Sequence, residues 1–229
     1  MKFLNFFFFR SLISSIYFNF KFLPFNQAIK FPFVVKGKLR IIRSSGSINL
    51  YSSSLKFGAI KLGFQGSDMF SNQVTVIDLA GNLNLYGDYF SFGVNSLIRV
   101  EKGASLNIKN GFVLGANSIL FCENDITIQE KVITSWSCQI IDTDTHSLRN
   151  RINNTKFDRS KPIFIGMGCW LGNNVTINKG TKLPNFTIIA SHTLCNKDYT
   201  INMGEFSLLG GIPAKLLKSD IEFVGDKIK

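Results

Sequence analysis

Hydrophobic residues recur every six positions through the C-terminal half of the chain. Ile165, Leu171, Ile177, Leu183, Ile189, Cys195 and Ile201 form the series, and each is followed by a small or turn-tolerant residue: Gly166, Gly172, Asn178, Pro184, Ala190, Asn196 and Asn202. A helix requires apolar spacings of three and four, and a lone strand alternates by two for only a few residues. A sustained six-residue unit predicts a solenoid, in which each unit is a short strand plus a corner and buries its apolar side chain only by stacking on the next turn. Gly, Asn and Pro fall where the chain bends, because they tolerate or impose turn dihedrals. The pattern predicts a parallel β-helix.

The same beat extends upstream. Ile108, Leu114 and Leu120 keep it, and Ile128, Thr134 and Ile140 resume it after a two-residue slip. Leu83–Val100 alternates apolar and polar residues with glycine interruptions and predicts looser coils of the same stack. Between Asp144 and Lys161 the beat stops, and four basic residues (Arg149, Arg151, Lys156 and Arg159) replace the apolar ones. A solenoid accommodates such an interval as a loop that leaves the stack at a corner and returns. The expected organisation is an N-terminal segment over residues 1–40, a coil domain over 41–212 carrying a loop at 147–161, and a tail over 213–229. Roughly seven to nine turns fit the coil domain.

Charge changes the picture at one end only. Residues 1–67 hold ten Lys or Arg and no acid, the first being Asp68, so the formal net charge of +11 is almost wholly an N-terminal property. That end is also aromatic, with eleven of the 23 phenylalanines before Val34. Its uncharged runs are seven and ten residues long, short of the ~20 apolar residues of a membrane span, and no small-residue cleavage site follows. Two compatible readings remain: a helical cap over the open sheet edge, and a contact with anionic lipid at the inner membrane surface. Nucleic acid is not an expected partner, because no recognised motif or basic stripe accompanies the charge. Four cysteines without CxxC spacing and two histidines predict buried free thiols in a reducing compartment and no metal site. The expected location is cytoplasmic, peripheral to the membrane at most.

WLGNNVTINKG, IIASHTLCNKD and GGIPAK follow one another at Trp170–Gly180, Ile188–Asp198 and Gly210–Lys215. In order and spacing they resemble hexapeptide-repeat acyltransferases, in the branch containing galactoside, maltose and capsular-polysaccharide O-acetyltransferases. The similarity covers about residues 107–218, and more weakly the segment YFNFKFLPF. It implies an all-β, left-handed parallel β-helix, assembled as a homotrimer with active sites between subunits. It also implies acetyl-CoA as acyl donor and a hydroxyl of a cell-surface saccharide as acceptor.

His146, at the end of IIDTDTH and 24 residues before Trp170, matches the position of the family's general base. A neutral imidazole suits removal of a proton as a hydroxyl attacks a thioester, since its ordinary pKa lies near the working pH. Asp144 is the candidate orienting carboxylate, and Asp142 and Asn117 are candidate acceptor contacts. Short acids near a turn also cap backbone amides, which is the alternative for both aspartates. Trp170 cannot be the inward residue of its coil, because the beat gives that place to Leu171, so it is expected to face outward; the resemblance places it along the pantetheine, and a subunit contact without ligand is the alternative. The resemblance places the backbone of Gly172, Asn173, Ser191 and Asn196 along the cofactor's narrow arm, where amides stabilise an oxyanion. It places Lys197, Lys215 and Lys218 near the cofactor phosphates.

The chain also departs from the family pattern. Ser191-His192-Thr193 stands where Ala-Gly-Ser is usual, so His192 either faces solvent at a corner or crowds the cofactor groove. The connection between Asp198 and Gly211 is about four residues longer than the hexapeptide pattern implies. Two other readings compete with O-acetylation: N-acetylation of an amino sugar on the same scaffold, and a non-catalytic solenoid docked on membrane or acidic polysaccharide through its basic end.

Overall fold

Side chains at equivalent points of successive turns form continuous inward columns. On one face Ile41, Ile77, Ile98, Leu120, Ile140, Ile177 and Cys195 lie opposite one another in turn. On another Leu50, Leu85, Ile108, Ile128, Ile165 and Leu183 do so. Burying such a side chain is worth ~1.5–3 kcal/mol, and no coil can bury its own without a neighbour. These columns make the computed structural model a three-faced parallel β-helix with sheets of nine, seven and six strands. It describes residues 2–64 and 74–224 of the 229. Met1, Asp68 and residues 225–229 of the expected tail lie outside the described residues.

The first face begins at Phe33–Val35 and ends at Leu208–Gly210, with Lys215–Lys218 added antiparallel. The second runs from Lys38–Ser44 to Leu194–Cys195, and the third from Ser47–Tyr51 to Lys182–Leu183. Strands of the prism thus fall inside both flanking segments read from the sequence, 1–40 and 213–229. Every member of the six-residue series from Ile165 to Cys195 is fully buried, but Ile201 is 73% exposed. The beat does not reach Ile201. After Cys195 the chain pairs Asp198 with Lys182, buries Tyr199, and loops out before Leu208 rejoins the first face.

The corner between the first and second faces needs a left-handed residue in each of five successive coils: Asn95, Asn117, Ser137, Asn174 and His192, all with φ between 57° and 59°. Asparagine adopts this conformation at low cost. Three members are linked side chain to side chain, Asn95 donating to Asn117 at 2.6 Å and Asn117 to Ser137 at 2.8 Å.

A helix over Lys2–Phe22 lies along the exposed edge of the strand Phe33–Val35. Ser15 and Asn19, one helical turn apart, supply what a neighbouring strand would. Asn19 donates to the Phe33 carbonyl at 2.8 Å and accepts from the Phe33 N–H at 3.1 Å, while the Val35 N–H donates to Ser15 Oγ at 2.9 Å. Phe18 packs on Phe33 with ring centroids 4.8 Å apart. Edge amides left unpaired invite association with other chains, and here side chains satisfy them. The opposite side of the helix leaves Leu12, Ile13, Ile16, Tyr17 and Phe20 exposed.

The non-repeating interval forms an arm. Its two legs pair at Thr143 with Ser160 and at Arg149 with Lys156, and it leaves and re-enters the stack at the corner between the second and third faces.

Candidate active site

His146 projects from the root of the arm, five residues beyond the strand Gln139–Ile141, and is exposed. Its Nδ1 lies 2.8 Å from Thr145 Oγ1, and that hydroxyl donates to the Asp144 carbonyl at 2.6 Å. A hydroxyl has one proton to give. With that proton on the carbonyl, Thr145 accepts from Nδ1–H and leaves the Nε2 lone pair free, the tautomer a general base requires.

Neither aspartate orients the imidazole. Asp144 turns its Oδ2 to Lys179 Nζ, 2.5 Å away. Asp142 is completely buried and accepts the N–H groups of Glu123 at 2.7 Å and Asn124 at 2.8 Å. Burial pushes its carboxyl up, and those two N–H groups oppose the shift. Asp142 therefore braces the corner of the preceding coil and is out of reach of an acceptor. Its reading as an acceptor contact is corrected on that ground, and the reading of Asp144 as His146's partner is corrected by Lys179.

The remaining candidates divide between two corners. Trp170 begins the strand Trp170–Leu171 with Leu171 fully buried, so the indole faces outward, half-buried. Close by, at the corner between the first and second faces, are Gly172, Asn173 and Ser191, with Ser191 Oγ donating to Asn173 Oδ1 at 2.6 Å. A Cβ on Gly172 would stand 2.8 Å from the Ser191 nitrogen, so only glycine lets these coils approach. The Gly172 N–H itself donates to the Ile189 carbonyl at 2.8 Å, which removes it as an oxyanion donor. The N–H groups of Asn173 and Ser191 have no protein acceptor among the described residues. Lys215 and Lys218 are exposed on the antiparallel strand beside Leu208–Gly210, opposite Gly210 and Leu208 respectively, so that Lys215 is the one at the corner end.

His192 occupies the same corner, solvent-exposed, with Nε2 3.3 Å from Asn174 Nδ2. Asn117 also belongs to this corner, three coils toward the N-terminus, and does not meet His146. Asn196 and Lys197 stand with His146 at the other end of the second face, where Lys197 Nζ lies 5.3 Å over the Tyr199 ring. In one protomer the width of the second face separates the imidazole from the indole.

Three features escaped the sequence reading. Phe223 of the tail stacks on Trp170, with centroids 5.0 Å apart and planes at 9°. Lys179 was findable in principle, because Asn178 lies opposite Ile141 and the next residue must reach the corner that carries Asp144. Arg159, on the returning leg of the arm, pairs with Glu123.

No protein-family model matches the chain. It is 27% identical over 135 residues to a probable acetyltransferase of Mycobacterium tuberculosis, covering 58% of this chain and 43% of that protein. It is 23% identical over 130 residues to the galactoside O-acetyltransferase of Escherichia coli, covering 57% of each. The alignments thus span about half the length of these curated relatives. Among solved structures, a polysialic acid O-acetyltransferase superposes with a TM-score of 0.55 at 24% identity, covering 84% of this chain and 92% of that one. The fold is the left-handed parallel β-helix expected from the sequence, and the relatives carry the acetyltransferase names that its motifs resemble.

Proposed function

We propose that the protein is an O-acetyltransferase that moves the acetyl group of acetyl-CoA to a hydroxyl of a saccharide. The observation that carries this reading is the exposed imidazole of His146, held through Nδ1 by the Thr145 hydroxyl. In a single displacement, Nε2 takes the acceptor's proton as its oxygen bonds to the thioester carbonyl. The tetrahedral oxyanion is met by the free corner amides of Asn173 and Ser191. It then collapses, the C–S bond breaks, and the imidazolium returns the proton to the departing thiolate. Lys215 and Lys218, with Lys197 of a neighbouring chain, offset the cofactor's phosphate charge.

Because the imidazole and the indole occupy opposite corners of one protomer, the reading includes a homotrimer. The His146 corner of one chain then faces the Trp170 corner of the next. Calorimetric titration of acetyl-CoA tests cofactor binding. His146→Ala should bind acetyl-CoA and unfold at the wild-type temperature, yet lose ~10²–10⁴ in turnover. Full activity in that variant would remove the mechanism, and absence of acetyl-CoA binding would favour a non-catalytic solenoid.

The reading extends to the N-terminal helix. No helix among the described residues is long and apolar enough to cross a membrane. The exposed apolar side of the helix adjoins Lys21 and Lys30 in a segment without acids, which suits the surface of an anionic bilayer. Co-sedimentation with vesicles containing phosphatidylglycerol, and not with pure phosphatidylcholine, is the expected result; equal partitioning would argue against it.

A further inference from the structure

Immediately N-terminal to the arm, at the same corner as His146, an open groove is lined by Arg99, Lys102, Phe121, Thr145 and Arg159, with Glu101 and Glu123 behind them. Three arginines here are paired with three acids. Arg43 bonds both Asp78 and Glu101, with its NH1 2.7 Å from Glu101 Oε2 and its NH2 2.9 Å from Asp78 Oδ2. Arg99 donates through Nε to Glu101 Oε1 at 2.6 Å, and Arg159 pairs with Glu123.

The partners are not equally accessible. The side chains of Asp78, Glu101 and Glu123 are 5%, 21% and 12% exposed, against 35%, 39% and 48% for Arg43, Arg99 and Arg159. The carboxylates form the floor and the guanidiniums the surface. Arg43 spends nearly all its donors on the floor, so it is a brace. Arg99 is held edge-on by Glu101 and face-on by the Phe121 ring, 4.7 Å from its guanidinium carbon. Its NH1 donors have no protein acceptor among the described residues. Arg159 engages only one nitrogen, and its backbone carbonyl accepts the Asp144 N–H at 2.9 Å, which ties it to the root that carries His146. A planar guanidinium fixed by a ring and a carboxylate, with donors left over, is pre-organised for a second planar or tetrahedral anion. The exposed ammonium of Lys102 adds to the field.

We propose that this groove is the acceptor subsite and that the acceptor is an anionic saccharide, its acid group held by Arg99 and Arg159 while a neighbouring hydroxyl reaches His146. This rests on the acetyltransferase reading and names its substrate class. Sugar carboxylates and sugar phosphates share the required chemistry. The test measures binding to the full-length protein of a uronic acid oligosaccharide, of the same oligosaccharide after reduction of its carboxylates to alcohols, and of a phosphodiester-linked saccharide of equal charge. Acetyl-CoA is titrated in parallel.

Binding of either charged probe, weakened ~10- to 100-fold by carboxylate reduction or by Arg159→Gln and diminished by salt, is the expected outcome. Preference between the two charged probes identifies the acid group. Arg99→Gln should act in the same direction, with circular dichroism confirming that the coils persist. Equal binding of the charged and reduced forms, or unchanged binding in a folded Arg159→Gln protein, would overturn the proposal. Loss of acetyl-CoA binding in the wild-type protein would instead overturn the reading beneath it, and the two failures separate.

Discussion

Replacing Asp142 should damage the fold and not the chemistry. Its carboxylate is fully buried and takes two backbone N–H bonds, from Glu123 and Asn124, at 2.7 and 2.8 Å. Hydrogen bonds to a charged acceptor are worth ~1.5–3 kcal/mol each. Glu123 is itself only partly buried and Asn124 is exposed, so water recovers a share when the acceptor is removed. Asp142→Ala should therefore cost ~2–4 kcal/mol, which for a chain of this size lowers the melting temperature by roughly 5–15 °C. Asp142→Asn keeps one acceptor oxygen but aims an NH₂ at the second N–H, and should fall about midway. Thermal unfolding by circular dichroism gives the order wild type, Asn, Ala. Steady-state kinetics on the folded fraction should show acceptor KM within about twofold throughout. An Asp142→Ala protein as stable as wild type, with the loss confined to acceptor KM, would refute the brace and restore a substrate contact.

Other outcomes follow from the same geometry. Phe223 covers the indole face that pantetheine would use, so Phe223→Ala should tighten acetyl-CoA binding ~2- to 10-fold by removing a stacked pair worth ~0.5–1.5 kcal/mol; weaker binding would instead make the tail part of the cofactor wall. Burial pushes the thiols of Cys138 to about 11 and of Cys169 and Cys195 to about 12, and raises Cys122 further. A disulfide reagent at pH 8 should therefore find no reactive thiol in the folded chain and four after denaturation. Arg43 foremost, aided by Arg99, holds the Glu101 carboxyl at about 2, below its ordinary 4.5. A depressed carboxyl stabilises the fold above its unfolded pKa, and that contribution fades as pH falls through the folded value. Urea midpoints should drop between pH 4.5 and about 2 more steeply in wild type than in Glu101→Gln; parallel curves would discount the network.

What was legible in the sequence was whatever depends on one coil repeating the last. Leu171 and Ile177 must face inward because each stacks on its equivalent a turn away, and Trp170 is outward by the same logic. The period fails at Ile201 because the chain after Tyr199 leaves the stack; the long connection from Asp198 to Gly211 signalled an irregularity there without fixing which residue leaves. The two aspartates were undecidable for a different reason. Asp142 is settled by amides 18 and 19 residues earlier, a contact that requires the register of one coil on the last, and Asp144 by a lysine 35 residues later, which requires the register across the arm. Phe223 lies in a segment with no repeat, so no periodic argument brings it to Trp170. The side-chain cap of Ser15 and Asn19 was hidden among phenylalanines whose number drew attention to lipid.

The central claim is that one chain supplies the imidazole and the next supplies the indole-lined slot. Co-expression of a His146→Ala chain with a Trp170→Ala, Lys215→Ala chain, each inactive alone, tests it directly. In randomly mixed trimers roughly a quarter of the interfaces regain an intact pair, and the account predicts acetyl transfer recovered to about that fraction of wild type. Mixed trimers that stay as inactive as either parent would contradict it.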